Sequence, residues 1–168
     1  MNAPEERRLI GASVKRKEDY RFLTGAGQYT DDIVLPQQTH GVFVRSPHAH
    51  ARLGKIDVEA ARGAPGVIAV FTGADLAAEK VGGLPCGWLI HSADGSPMRE
   101  PPHPVLAVGK VRHVGDPVAL VIAETAKAAK DAAELVTVDY ELLPAVADTG
   151  RAADAGQPAV HDEVPDNV

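Results

Sequence analysis

Hydrophobic positions along this chain come in short runs separated by tight polar turns. Residues 1–19 are polar and read as an arm that orders only against something else. From Tyr20 the texture changes: Tyr20, Phe22 and Leu23 precede a turn signal, Thr24-Gly25-Ala26-Gly27, and then Tyr29-Thr30-Asp31-Asp32-Ile33. Gly41-Val42-Phe43-Val44-Arg45-Ser46 predicts a strand, β-branched and aromatic at its centre. Pro47 ends it, because proline has no N–H to give to a ladder. A second strand is expected over Ala51-Arg52-Leu53-Gly54-Lys55-Ile56. Asp57 is placed to cap a short helix over residues 58–62, and Gly63 to stop it. Residues 66–71, Gly-Val-Ile-Ala-Val-Phe, form a continuous apolar strand of the fully buried kind, after which Thr72 or Asp75 can cap a helical turn.

Between residues 79 and 104 this pattern dissolves. Gly82, Gly83, Gly87 and Gly95, with Pro85, Pro97, Pro101, Pro102 and Pro104, predict a long loop. Loops beyond about 12–15 residues are usually functional or disordered. This one carries Leu84, Trp88, Leu89 and Ile90, which suits packing on a partner or lining a pocket.

Order returns with Val105-Leu106-Ala107-Val108, a turn at Gly109-Lys110, and Val111-Arg112-His113-Val114. Residues 117–123, Pro-Val-Ala-Leu-Val-Ile-Ala, are the best strand in the chain. Thr125 caps a helix expected to reach about Leu135, with Ala126, Ala129, Ala132 and Ala133 at helical spacing as a flat face for a sheet. Lys127–Asp131 and Lys130–Glu134 stand i,i+4 on its outer side, in the weaker base-before-acid orientation. Val136-Thr137-Val138-Asp139-Tyr140 is the last strand, and Leu142-Leu143-Pro144 ends it. The tail over residues 149–168 reads as a linker. Two strand–helix–strand passages, near residues 52–71 and 117–140, imply mixed elements around one core, an α+β fold.

Composition narrows the function classes. With 168 residues, one domain with attached arms is the natural size. Aromatic residues are only 4% of the chain against 27 alanines, so the core must be built from Val, Leu, Ile and Ala. The net charge of −6, with no basic cluster beyond Lys15-Arg16-Lys17, argues against a nucleic-acid or membrane surface. A single cysteine, Cys86, excludes an internal disulfide framework and any cysteine-rich metal site. No apolar run approaches the roughly 18 residues of a membrane span, and Arg7-Arg8 lacks the apolar stretch of a secretion signal, so a cytoplasmic location is expected.

Candidate chemistry is sparse. Of seven histidines (His40, His48, His50, His91, His103, His113 and His161) only His48 and His50 are close, and no third ligand stands beside them. Polar loop contacts are the better reading. Neighbouring Asp31 and Asp32 point opposite ways in an extended segment, so one caps a turn and the other faces water. The serines sit in no G-x-S-x-G elbow, and Cys86 has no basic neighbour in sequence to lower its pKa. Gly25-Ala26-Gly27 and Gly109-Lys110 are too short for phosphate cradles. No nucleophile, acid–base pair or cofactor motif emerges.

The order of blocks carries more. Lys15-Arg16-Lys17-Glu18-Asp19-Tyr20-Arg21-Phe22-Leu23-Thr24-Gly25 with Gln28-Tyr29-Thr30-Asp31-Asp32-Ile33 resembles the opening of the molybdenum-binding large subunit of carbon monoxide dehydrogenase-like enzymes, in the xanthine dehydrogenase and aldehyde oxidase family. Arg45-Ser46-Pro47-His48-Ala49-His50-Ala51-Arg52, Ile56-Asp57, Pro65-Gly66-Val67, Val114-Gly115-Asp116-Pro117-Val118-Ala119 and residues 136–144 follow in the same order. The resemblance implies an N-terminal α/β-hammerhead domain over residues 20–148, a mixed sheet with short helices packed on it. It implies an arm over residues 1–19 before that domain, and a linker over 149–168 toward an absent molybdopterin-binding domain. It implies oxidative hydroxylation of aldehyde, N-heterocycle or carbon monoxide-type substrates at a molybdenum–pterin cofactor, with oxygen from water and electrons leaving through iron–sulfur clusters and FAD on partner subunits.

No catalytic, cofactor-binding or metal residue of that family falls in this stretch, so the chain is expected to be an inactive fragment or separately encoded piece. By position, the loop over residues 82–102 corresponds to a wall of the family's substrate funnel, with Leu84, Cys86, Trp88 and Leu89 as candidate wall residues. The Arg45–Arg52 block is expected to serve structural hydrogen bonding. A free-standing hammerhead binding or assembly module without redox activity is the competing expectation.

Overall fold

The β-branched strands and alanine-rich helix expected from the pattern are present, and they position everything else. The computed structural model describes Gly11 and residues 13–168; residues 1–10 and Ala12 of the expected arm lie outside the described residues. The chain divides into two units, Met1–Gln38 and Thr39–Val168. In the first, α1 (Asp19–Leu23) precedes a 3₁₀ turn over Thr30–Asp32. The Phe22 and Tyr29 rings stack at 5.5 Å, and a Cβ at Gly27 would run into the Phe22 ring. Asp32 accepts the Tyr29 N–H at 2.8 Å as the expected turn cap, and Asp31 faces solvent, but both lie in the 3₁₀ turn and not in the extended segment expected.

The second unit holds six strands: β1 (His40–Arg45), β2 (Ala51–Asp57), β3 (Val67–Thr72), β4 (Lys110–Val111), β5 (Pro117–Ala123) and β6 (Thr137–Leu142). Three short helices join them: α2 (Glu59–Arg62), α3 (Gly73–Ala78) and α4 (Ala126–Ala133). The α+β class with short helices on sheet is what the structure shows. Its strands form two three-stranded sheets, ordered β1-β5-β3 and β4-β2-β6, and every pairing is antiparallel. Both strand–helix–strand passages cross from one sheet to the other, so neither places its two strands side by side.

Register explains the core. Val42 and Val70 both pair with Val121, and Val44 and Thr72 with Ala119; successive residues point to opposite faces, so these share one side of the sheet. On that side Val121, Val70, Val58, Ala61 and Ala132 form one buried cluster. Ala51, Ala107, Val111 and Val118 form a second, and Val44 packs against both. Ala129 and Ala132 are fully buried, and their small side chains let α4 lie close on the sheet. Ala126, expected on that face, is exposed, because it occupies the first helical position beyond the edge of the contact. The Lys127–Asp131 and Lys130–Glu134 pairs form no ion pair, consistent with their unfavourable order.

Caps set the helix starts. Thr125 Oγ1 accepts the Ala128 N–H at 3.1 Å. Thr72 and Asp75 act together: the Thr72 hydroxyl accepts the Asp75 N–H, and Asp75 Oδ2 accepts the Thr72 N–H at 2.7 Å, a reciprocal capping box. Asp57 accepts the Glu59 N–H at 3.2 Å, but Val58 holds the cap position of α2. Gly73 is required by close approach, since a Cβ there would collide with the Ala107 carbonyl oxygen. Residues 149–168 turn back on themselves. Asn167 donates to the Ala152 and Pro158 carbonyls at 2.9 and 3.0 Å, and Val164 is buried.

Candidate functional site

Two places in the second unit gather side chains that the sheets do not consume. The first is the stretch between α3 and β4, residues 79–104, which folds as an open arm. Its two limbs are tied by a sparse ladder. The Leu84 N–H donates to the His103 carbonyl at 2.8 Å, and the Met98 N–H to the Ile90 carbonyl at 3.1 Å. The Cys86 N–H donates to Glu100 Oε1 at 2.9 Å, and His91 bridges Pro97. The tip closes through Ser92 N–H to the Ser96 carbonyl at 2.9 Å. Asp94 accepts both the N–H and the hydroxyl of Ser96, which holds its carboxyl below the usual carboxylate range. Gly83 lets the limbs meet, because a Cβ would stand 2.6 Å from the His103 carbonyl oxygen.

Of the expected wall residues, Trp88 is 81% exposed, Leu89 61% and Leu84 55%. Cys86 is half-buried and free, its thiol donating to the Trp88 carbonyl at 3.4 Å. The arm thus brings the four onto one strip of chain with apolar groups facing water. A hydrophobic strip of this kind marks an interaction or ligand surface.

The Arg45–Arg52 block is a different construction. Ser46, almost wholly buried, accepts the His48 N–H at 3.0 Å through its hydroxyl, and its backbone exchanges hydrogen bonds with Asp116 and Gly115. Arg45 donates to the Gly115 carbonyl at 2.9 Å. His50 Nδ1 stands 2.7 Å from the Pro144 carbonyl, and the His48 ring meets Tyr140 edge-on at 4.9 Å. Burial pushes the Tyr140 phenol above its ordinary pKa. These bonds lock strand ends together, the structural role expected of the block.

The second place was not visible as a motif. A cavity of about 150 Å³ lies among His103, Lys110, Arg112, His113, Asp116 and His161. They come from the end of the arm, β4, the turn before β5, and the tail. Lys110 pairs with Asp162 at 2.8 Å, which holds that carboxyl below its usual range. Burial first, and then the positive charge of Arg112, push the His161 imidazole below its ordinary pKa. Only the count of seven histidines hinted at such a gathering; long-range folding supplies it.

The model of the aldehyde oxidase and xanthine dehydrogenase a/b hammerhead domain matches residues 24–144. The chain belongs to that family. It is 42% identical over 98% of its length to the nicotine 6-hydroxylase large subunit of Paenarthrobacter nicotinovorans, covering 19% of that protein. It is 39% identical over 95% of its length to the carbon monoxide dehydrogenase large chain of Afipia carboxidovorans, covering 18% of it. Among solved structures, a Cu,Mo-carbon monoxide dehydrogenase chain matches 92% of this hammerhead chain at 40% identity with a TM-score of 0.71. Quinoline 2-oxidoreductase from Pseudomonas putida 86 matches 86% at 42% identity and 0.70. The chain spans under one fifth of the length of these relatives. No helix among the described residues is long and apolar enough to cross a membrane.

Proposed function

We propose that this hammerhead chain is the N-terminal portion of the large subunit of a molybdenum hydroxylase acting on an aldehyde, N-heterocycle or carbon monoxide-type substrate. What carries the reading is the 42% identity to a nicotine 6-hydroxylase large subunit across 98% of this chain. Residues 20–148 form the hammerhead domain, and residues 149–168 lead on from it. Among the described residues no group of three or more His, Cys, Asp or Glu is arranged to hold a metal ion, and the cavity of His103, Lys110, Arg112, His113, Asp116 and His161 mixes cationic, acidic and imidazole side chains. We place the molybdenum–pterin group on the remainder of the subunit, because this chain spans only 19% of the nicotine 6-hydroxylase large subunit it resembles. Iron–sulfur clusters and FAD sit on partner subunits. A cytoplasmic location suits the single cysteine and the net acidity.

The chain's own contribution is architectural. The arm carries Leu84, Cys86, Trp88 and Leu89 as the wall of a substrate funnel, where apolar contacts discriminate substrates by size. In the assembled enzyme, Trp88→Ala is expected to change the ratio of kcat/KM between a small and a bulky substrate by about tenfold, the scale of a few lost apolar contacts. Unchanged ratios across substrates of different size would remove the funnel role. A reading frame that stops after Val168, with no iron–sulfur or FAD subunit encoded nearby, would replace the whole reading with a free-standing binding module.

A further inference from the structure

We propose that the outer face of the β1-β5-β3 sheet is a docking surface inside the large subunit, where an apolar segment of the same polypeptide, beyond residue 168, packs on it. It rests on the large-subunit reading and adds to it the place where the two parts meet.

Register builds the face. Gly41, Ile122 and Ala69 pair across the three strands, and so do Phe43, Leu120 and Phe71. Paired residues share a side and successive residues alternate, so these six stand opposite Val42, Val121 and Val70. Two rows of three thus carry no polar side chain. The helices lie elsewhere: Ala61 of α2 and Ala132 of α4 pack on the side of Val70 and Val121. Val118, the preceding residue of β5 on the open side, is fully buried with Ala51, Ala107 and Val111. Cover stops there, and Leu120 and Ile122 stay half-buried. Phe43 is 41% exposed, and Ile68, at the β3 bulge, 55%. Arg45, at the margin, holds its guanidinium 5.3 Å from the Phe43 ring and donates to the Gly115 carbonyl.

Such a face is not built for water. An antiparallel sheet with one solvated face alternates apolar with polar residues, whereas strands covered on both faces are apolar throughout. Residues 67–71 and 117–123 are of the second kind. The α4 layer supplies one cover, and the other is missing from these 168 residues.

Size and continuity select the occupant. The accessible part of the face is on the order of 400 Å², the scale of patches that mark interaction sites. A freely diffusing partner needs roughly 800 Å² a side, because association costs translational and rotational freedom. A second copy or a separate subunit seated on this face alone falls well short. A segment of the same polypeptide is spared most of that cost. The relatives have the length to supply one, since this chain covers 19% and 18% of the two large subunits it resembles. A centre without charge or hydrogen-bonding side chains calls for apolar groups in return, as in a domain core cut in half.

The test puts the photoreactive analogue p-benzoylphenylalanine in place of Phe43 in the full-length large subunit of the assembled enzyme. After irradiation, crosslinked peptides are mapped by mass spectrometry. The expected link is to a peptide of the same polypeptide beyond residue 168, in a yield that does not change on dilution. A link to a second copy, to another subunit or within residues 1–168 overturns the proposal, and so does the absence of any link. Maleimide labelling of Ile68→Cys is the second readout. Its reaction is expected to be lost in the native enzyme and restored in urea; labelling at the unfolded rate in the native enzyme shows a bare face and overturns the proposal. A reading frame that stops after Val168 removes the large-subunit reading and the docking surface together. A longer subunit in which the position-43 analogue links elsewhere removes the docking surface alone.

Discussion

The two-sheet core and the arm over residues 79–104 use apolar side chains in opposite ways. In the core, Val121, Ala119, Ala123, Ala129 and Ala132 are small or β-branched and fully buried. Tight helix-on-sheet contact replaces the aromatic bulk that this sequence lacks. In the arm, Leu84, Trp88, Leu89 and Ile90 are larger and more than half exposed, and the limbs are held by backbone hydrogen bonds and a carboxylate instead of by packing. Burying an aromatic side chain contributes about 1.5–3 kcal/mol, and the chain leaves its only tryptophan unburied. Stability and the proposed recognition surface thus fall to different residue types in different segments.

The sharpest way to test that division is to charge the core. Val121→Asp, placing a carboxylate with no partner among Val58, Val70 and Ala132, is expected to cost several kcal/mol and abolish the cooperative melt in circular dichroism. Next comes Gly73→Ala, whose methyl would meet the Ala107 and Leu106 carbonyl oxygens. A loss of about 1–3 kcal/mol in urea denaturation is expected, because neither backbone oxygen can retreat. A smaller effect is pH-dependent. The folded pKa of His161 lies below its unfolded value of about 6.5, so the unfolded state binds the extra proton between the two. The stability from this group is present above 6.5 and falls as pH drops through that window; His161→Gln should flatten the slope of stability against pH. Smallest of all, Trp88→Ala is expected to leave the Tm within the few tenths of a kcal/mol typical of a surface change. A Tm drop as large as that of Gly73→Ala would show that the arm belongs to the folding core after all.

Local physics made much of the fold legible. The strand over residues 117–123 matches β5 at both ends, because a β-branched run bounded by Pro117 and Glu124 needs no outside help. Thr125 as a cap and the Ala129–Ala132 face followed from spacing alone. What escaped depends on distance in sequence. β4 is two residues long and exists only because Ala51 and Arg52 pair with it. The division into two sheets reflects which strands meet, and periodicity is silent on that. The cavity beside β4 draws Arg112 and His161 from segments 49 positions apart, and neither sits in a motif. The arm was legible as a loop and as apolar, yet its ladder rests on pairings such as Leu84 with His103 that no local signal announces.

Strand membership also constrains how this molecule comes into being. Taken in chain order, β1, β3 and β5 belong to one sheet and β2, β4 and β6 to the other. During synthesis, the first sheet lacks its central strand until Ala123 emerges, and the second stays open until Leu142. Until β5 emerges, β1 and β3 wait without their shared partner while β2 holds only its two-residue pairing with β4, so this topology closes late instead of growing stepwise.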